Sequence, residues 1–377
     1  MLRREPHMEE LMEILECIED TRQQSKVRYP IKEIVLIVFS CTLSNVDNWE
    51  DMEMWANHYI DLLREYLPFE NGIPSHDTIQ RVMGMIDPEY IQQAYNKWTS
   101  MLEKEEKEKF KKIIAIDGKT MRSNKQNGSK PNHIVTAWNR EDGYSLGQQK
   151  TDEKSNEIKA IPKLLEKINI KNSVITIDAM GTQTAIAEKI KIKKGDYVLA
   201  VKDNQKILFE EISLYFKDEE HLKKIMRKGN YLRTSEKNHG SADVREYYQT
   251  NSINWLSNKE KWKGIKSIGM VIRTHNGVTE RRYYISSLNP DIKTFSRAVR
   301  GHWSVEAMHW QLDVTFKEDN NHTLDKIAAE NQNIIRKWCL TALKQAVFMN
   351  GKVKSMRQKR MVVSFSPIKY LDYVLSL

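Results

Sequence analysis

Twice in this chain a short apolar run stops at an aspartate. Ile113-Ile114-Ala115-Ile116 leads into Asp117-Gly118, and Ser173-Val174-Ile175-Thr176-Ile177 leads into Asp178. Runs of this length, bounded by turn signals, read as strands buried on both faces. Such strands need helices on either side of their sheet. The surrounding pattern supplies them. Residues 133–138 and 144–149 read as strands around the turn Glu141-Asp142-Gly143. Ile158, Ile161, Leu164, Leu165 and Ile168 follow a helical period, residues 182–192 read as a helix, and residues 197–201 as a strand. The fold class expected is α/β, a mixed sheet with flanking helices. Sites in open α/β sheets form beyond the carboxyl ends of the strands, where Asp117 and Asp178 stand. One such aspartate reads as a turn residue or helix cap; two in one domain point to a site.

The flanking sequence differs in kind. Residues 1–105 read as helical, with a core run at Ile34, Leu36, Ile37 and Phe39 and apolar residues at helical spacing at Ile60, Leu62, Leu63 and Tyr66. Asn71-Gly72 marks a turn, after which Ser75 or Asp77 would cap a helix burying Ile79, Val82 and Met83. Residues 103–112 are almost all charged and mark a boundary. Residues 203–290 interrupt the alternation and read as an insertion, with strands expected at 265–272 and 283–288. Helices are expected at 297–317 and 325–349. The organisation predicted is an N-terminal helical domain over 1–105, an α/β domain over 110–202 and 291–350, a partly β insertion over 203–290, and a basic C-terminal tail over 351–377.

Composition narrows the function classes. The longest uncharged apolar-rich run, residues 34–43, is too short to cross a bilayer as a helix, so no membrane role is expected. The N-terminus carries no apolar stretch of the signal-peptide kind. Cys17, Cys41 and Cys339 lie far apart with no Cys-x-x-Cys, which predicts reduced, buried thiols in a cytoplasmic protein. Sixty Lys and Arg against 51 Asp and Glu, a net charge of +9, favour a polyanionic partner such as nucleic acid.

A third candidate lies in the helix expected at 297–317. His302, Glu306, His309 and Asp313 follow one another at spacings that share a helical face. Trp303 and Trp310 lie beside that stripe, which argues against a merely solvated surface. Glu306 with Asp117 and Asp178 would make a carboxylate set able to hold two divalent ions, Mg²⁺ or Mn²⁺, about 3.5–4 Å apart, for in-line phosphodiester chemistry. Glu306-x-x-His309 is also the spacing of a di-iron half-site, and Glu236-x-x-His239 repeats it. The second copy sits in a polar stretch before Gly240, and no four-helix pattern accompanies it. Signatures of nucleotide-driven motors, zincins and dinucleotide enzymes are absent from the sequence.

Six segments taken in order resemble one family. They are Gly72-Ile-Pro-Ser-His-Asp-Thr78, Ile116-Asp-Gly-Lys119, Glu153-Lys-Ser-Asn-Glu-Ile158, Thr176-Ile-Asp-Ala-Met-Gly-Thr-Gln183, Asp196-Tyr-Val-Leu-Ala-Val-Lys202 with Asn204-Gln205, and the stretch 300–319. The sequence is similar to transposases of the ISAs1 group, related to the H-repeat-associated proteins, within the IS4-type DDE transposases. The resemblance implies a helical associated domain, a ribonuclease-H-like sheet with a β-rich insertion, and Asp117, Asp178 and Glu306 as the catalytic, metal-binding triad. It also implies DNA as partner, both terminal inverted repeats and target, bound by a homodimer or larger assembly at the nucleoid. Lys119, Arg122, Lys202, Gln205, Arg300, His302 and Lys317 lie in or beside these segments and are the candidates for DNA contact. His309 and Asp313 would stand behind the metal ligands. Two departures from the wider pattern concern its last motif, where His302 takes an Arg position and Asp313 a Lys position, as in the ISAs1 group. A third is Ser241 and Asp243 in place of a basic residue and a longer acid. A DNA-binding remnant without catalysis, or a ribonuclease-H-like nuclease, would share these features. Lys352, Lys354, Arg357, Lys359 and Arg360 read either as phosphate contacts or as a solvated segment. Trp138 and Trp338 read as core residues.

Overall fold

The computed structural model describes residues 7–102, 111–125, 129–152, 156–238, 241–347 and 354–375. The charged boundary at 103–112 lies almost wholly outside them. By backbone proximity the chain forms two compact units, one of residues 1–105, 120–133 and 308–377, the other of residues 106–119 and 134–307.

The first unit begins with helices α1 His7–Glu16, α2 Ile31–Leu43, α3 Trp49–His58, α4 Ile60–Leu63, α5 His76–Met83 and α6 Pro88–Met101. Nearly every residue of α2 is buried, as its uncharged, apolar-rich run from Ile34 to Leu43 demands. Asp87 caps α6 by accepting from the Glu89 N–H at 3.0 Å, with Pro88 in the first turn. The start of α5 is held differently from expectation. Ser75 occupies the cap position, but its hydroxyl bonds Thr78 at 3.1 Å instead of the backbone. The cap comes from α3: Glu53 Oε2 lies 2.7 Å from both the His76 N–H and His76 Nδ1. Gly72, at φ +72°, makes the turn before it.

The second unit is built on a nine-stranded mixed sheet. In chain order its elements are β1 Ile113–Thr120, β2 His133–Asn139, β3 Tyr144–Lys150, α7 Glu157–Lys167, β4 Val174–Ile177, α8 Thr184–Ile192, β5 Asp196–Val201, α9 Lys206–Tyr215, α10 Glu219–Arg227, β6 Tyr231–Asn238, β7 Ser241–Thr250, β8 Ser267–His275, β9 Val278–Ser286 and α11 Ile292–Val314. The strand order is β3-β2-β1-β4-β5-β9-β8-β7-β6. β1, β4 and β5 run parallel, while β9 pairs antiparallel with β5 from Val198↔Ser286 to Val201↔Tyr283. The residues read as an insertion therefore extend the same sheet by four strands. The alternation of each central strand feeds two cores. Ile114, Ile116, Ile175, Ile177, Tyr197 and Leu199 pack with α7 and α8 residues on one face, and Ile113, Val174 and Val198 pack with Phe295, Ala298 and Val299 of α11 on the other. β1 does not stop at Asp117-Gly118 but runs on to Thr120. Asn276 (φ +48°) and Gly277 (φ +79°) close the β8–β9 hairpin, an Asn-Gly turn whose backbone twist suits paired strands.

The chain ends with α12 Lys326–Gln345, α13 Met356–Phe365 and α14 Pro367–Leu375 in the first unit. α12 is buried from Ala328 through Leu343 and packs against α2, α5 and α6. At its centre Trp338 meets Phe39 edge-on at 5.3 Å, with Tyr95 and Trp98 each 5.8 Å away. Trp338 and Trp138 are both fully buried, as expected of core residues. The segment expected to be a basic tail is helical, and two of its cations point inward. Arg360 is 1% exposed. It donates to the carbonyls of Thr42 (2.6 and 3.0 Å) and Thr315, pairs with Asp47 at 2.7 Å, and lies over the Phe316 ring. Lys359 donates to the carbonyls of Leu343 and Ala346 at the end of α12, which lack helical partners. Neither reading of Arg360, as phosphate contact or solvated charge, survives this burial. Lys352 lies outside the described residues. Cys41 and Cys339 are buried as expected, whereas Cys17, just past the end of α1, is exposed; all three are free thiols. Among the described residues no helix is long and apolar enough to cross a membrane.

Candidate active site

Asp117, Asp178 and Glu306 line one cleft of about 320 Å³. The sheet register brings the two aspartates together. In the parallel β1–β4 pair Ile116 stands opposite Ile177, so the residue following each emerges beside the other. Glu306 arrives from α11, which presents Val299, His302, Trp303 and Glu306 to the same cleft at helical spacing. His302 Nδ1 lies 3.2 Å from the Thr176 hydroxyl.

The loop after Asp178 is tied on several sides. The Gly181 N–H donates to Asp178 Oδ1 at 3.1 Å. Thr182 Oγ1 bonds the Ala200 carbonyl at 2.6 Å, the Asn204 amide bonds the Ala179 carbonyl at 2.6 Å, and the Gln205 amide bonds the Thr182 carbonyl at 3.0 Å. A Cβ at Gly181 would lie 2.2 Å from Ile177 Cγ2 and 2.9 Å from Ile161 Cδ1, so only glycine fits. Asp178 is thereby aimed by its own backbone and by the end of β5.

Asp178 and Glu306 both resist ionisation. Burial raises the Asp178 pKa, and the charges of Glu157 and Asp117 raise it further against the Gly181 bond. Burial also raises the Glu306 pKa, reinforced by Asp117 and Asp178 and opposed by Arg282. Burial lowers the His302 pKa, with Asp117 and Asp178 pulling the other way. These are the signs expected when like charges share a half-dry site.

The remaining expected residues are placed variously. Lys202 lines the cleft and is exposed. Gln205 braces the loop after Asp178. Lys119 follows Asp117 by two on β1 and so shares its strand face. Arg300 pairs with Glu236 at 2.7 Å. Arg122, Lys317, His309 and Asp313 fall in the first unit. There Arg122 is exposed 3.8 Å from Asp319, and Lys317, with a left-handed backbone, lies 3.8 Å from Asp47. His309 is buried. Trp310 is 60% exposed, so it gives no support to the reasoning that two tryptophans keep this stripe from solvent. His239 and Gly240 lie outside the described residues. Asp243, the shortened acid, is buried and well engaged: Arg273 donates to it at 3.1 and 3.0 Å, and Arg245 pairs with it.

Three charged residues of the cleft escaped the sequence reading: Glu280, Arg281 and Arg282, all from β9. Arg282 lies over Trp303, 5.1 Å from the ring centroid, with Arg273 at 5.7 Å from the same ring. A strand was expected at 283–288; β9 begins earlier, at Val278, directly after the Asn276-Gly277 turn, whose hairpin signal would have brought Glu280, Arg281 and Arg282 into it.

Oxygen-only carboxylate donors fit a hard divalent cation in kind, and their mutual repulsion is what such a cation would relieve. Among the described residues no three His, Cys, Asp or Glu side chains are grouped tightly enough to hold an ion as they stand.

A family model described as "Transposase DDE domain" matches residues 108–342. One described as "DDE_Tnp_1-associated" matches residues 12–99. The chain is 36% identical over 370 residues to "Putative transposase YncI" of Escherichia coli O157:H7, covering 93% of this chain and 92% of that protein. It is 35% identical over 368 residues to "H repeat-associated putative transposase YhhI" of Escherichia coli strain K12, covering 94% and 96%. "H repeat-associated putative transposase YbfD" of the same strain is 38% identical over 241 residues, 63% of this chain and 92% of that protein.

Proposed function

The chain belongs to the transposase DDE-domain family, and from that membership we propose that it cuts and joins DNA strands at the ends of a mobile element through Asp117, Asp178 and Glu306. The observation that carries the proposal is the shared cleft: adjacent strand registers deliver two aspartates and α11 delivers the glutamate. The strand order β3-β2-β1-β4-β5, with an antiparallel pair beside three parallel strands, supports reading this part of the sheet as ribonuclease-H-like.

Mg²⁺ or Mn²⁺ held by the three carboxylates would supply Lewis-acid stabilisation of the attacking and leaving oxygens of a phosphodiester. The chain's own residues do the positioning. The Gly181 bond fixes the Asp178 carboxylate, and the Thr176–His302 contact joins β4 to α11 behind the acids. Lys202, Arg281 and Arg282 place positive charge on the cleft wall where a DNA backbone would lie. Lys119, Arg122, Arg300 and Lys317 remain candidates for further phosphate contacts. Terminal inverted repeats and target DNA are the proposed substrates, in the cytoplasm at the nucleoid, with at least two copies on DNA to coordinate two ends.

The test is cleavage and strand transfer on labelled duplex carrying the repeats that flank the coding region, with Mg²⁺ and with EDTA, for wild type and Glu306→Ala. The expected result is metal-dependent joining lost in the variant. Repeat-specific binding without cleavage by either protein would mark a silent DNA-binding remnant. Cleavage without joining would mark a nuclease.

A further inference from the structure

The cleft that holds the three carboxylates draws its positive charge from an unexpected element. Four side chains of α11 line it, Val299, His302, Trp303 and Glu306, and none is a cation. The cations there are Lys202, from the residue after β5, and Arg281 and Arg282 of β9. Lys202 and Arg281 are exposed, whereas Arg282 is partly buried. A half-buried guanidinium beside carboxylates is in a strong-field position, and here its place is fixed from several directions.

Glu280, two residues earlier on the same strand, accepts from Arg282 Nε at 2.8 Å and Nη2 at 3.0 Å. That bidentate pair fixes the plane of the guanidinium. The Trp303 ring lies against it at 5.1 Å. Glu306, the third carboxylate, lines the same cleft. A five-donor fork so engaged still has N–H groups for another acceptor. A side chain with the single task of pairing Glu280 would need neither the ring nor a place beside the triad.

We propose that Arg282 binds the phosphate at the site of strand cleavage, and that Glu280 and Trp303 are the residues that position its guanidinium. This rests on the proposed DNA-cutting reading and names a residue outside the triad for it. A planar fork suits the two non-bridging oxygens of a phosphodiester, and a fixed cation there would stabilise charge developing at phosphorus. Because the fork comes from β9, the strand that joins the later part of the sheet to β5, that part of the chain would serve the reacting phosphate directly.

The test is a cycle of two changes read by equilibrium binding, with no catalysis involved. The probes are a duplex ending in the element's flanking repeat, with either a normal phosphodiester or a neutral methylphosphonate at the cleavage position. Affinities are measured in EDTA for wild type and Arg282→Gln. The quantity read is the ratio of methylphosphonate to phosphodiester Kd in wild type, divided by the same ratio in the variant. Contact between Arg282 and that phosphate predicts a quotient of about tenfold, the usual size for a charge-assisted bond. A quotient near one overturns the assignment. Should Arg282→Gln fail to fold, Arg282→Lys takes its place: it keeps the charge, loses the fork, and is expected to give a quotient above one but below tenfold, whereas a value of one again overturns it. A methylphosphonate moved several nucleotides into the repeat should give a quotient of one in either case. If wild type binds the repeat duplex no better than unrelated DNA, the proposed function falls, and this assignment with it.

Discussion

Gly181 is the most tightly constrained residue beside the cleft. With Ile177 and Ile161 crowding the place of its missing side chain, Gly181→Ala must push the loop away from β4 and loosen the bond that aims Asp178. Expected is a loss of about 1–3 kcal/mol of stability, from overpacking, with cleavage falling more steeply than repeat binding. Chemical denaturation and filter binding would separate the two. A second residue-scale prediction concerns Glu53 and His76. Hydrogen bonding to Glu53 raises the His76 pKa above its ordinary 6.5, while the bonds from His76 lower Glu53 below its ordinary 4.5. The histidine's contribution is complete below pH 6.5 and lost as pH rises through its raised value. The glutamate's is complete above pH 4.5 and lost as pH falls through its lowered value. The pair therefore supports the start of α5 between those limits. An NMR titration should find the His76 midpoint above 6.5 in wild type and near 6.5 in Glu53→Gln; an unmoved midpoint would refute the contact.

At the scale of elements, α13 is fastened to the N-terminal helices by a buried cation. Arg360→Ala leaves Asp47 without its 2.7 Å partner and removes the donor to two carbonyls. A cost of about 3–5 kcal/mol follows for breaking such a pair on one side. Asp47→Asn combined with Arg360→Met should cost less than Arg360→Ala alone, because no lone charge stays buried. Urea midpoints of the two variants and wild type would decide it. Nothing in the sequence around Arg360 tells of this role, since its partners Thr42, Asp47 and Thr315 lie far away in the chain. What could be read were elements whose signal is local. The strands at Ile113, Val174 and Tyr197 declare themselves as apolar runs, α2 as a core run in a helical stretch, and α12 by its apolar positions from Ile334 to Leu343. β6, with the sequence Tyr231-Leu-Arg-Thr-Ser-Glu-Lys-Asn238, offers too little alternation to be seen. Asp117 and Asp178 were legible because each ends or follows an apolar run. Arg282 was not, because its place depends on how β9 pairs with β5.

At the scale of the whole molecule, the site trades stability for function. The repulsion among the acids opposes folding at neutral pH, so Asp117→Asn should raise the melting temperature by about 1–3 °C and abolish strand cleavage. Millimolar Mg²⁺ should raise the melting temperature of wild type and leave that of Asp117→Asn nearly unchanged. An equal shift in both would place the ion elsewhere. The net charge of +9 predicts DNA binding that weakens steeply with salt. Lys202→Ala should lower the slope of log affinity on log salt by roughly 1.

β9 joins to β5 in register over four residue pairs. Residues 203–290 therefore cannot be pruned like an ornamental loop. Their removal would bare the whole flank of β5, a row of unpaired backbone donors and acceptors ready to recruit another chain. It would also take Glu280, Arg281 and Arg282 with it. A shortened descendant of this protein would be a sticky half-sheet with three carboxylates and one lysine, and its fate in a cell would be aggregation or proteolysis before it was ever a smaller enzyme.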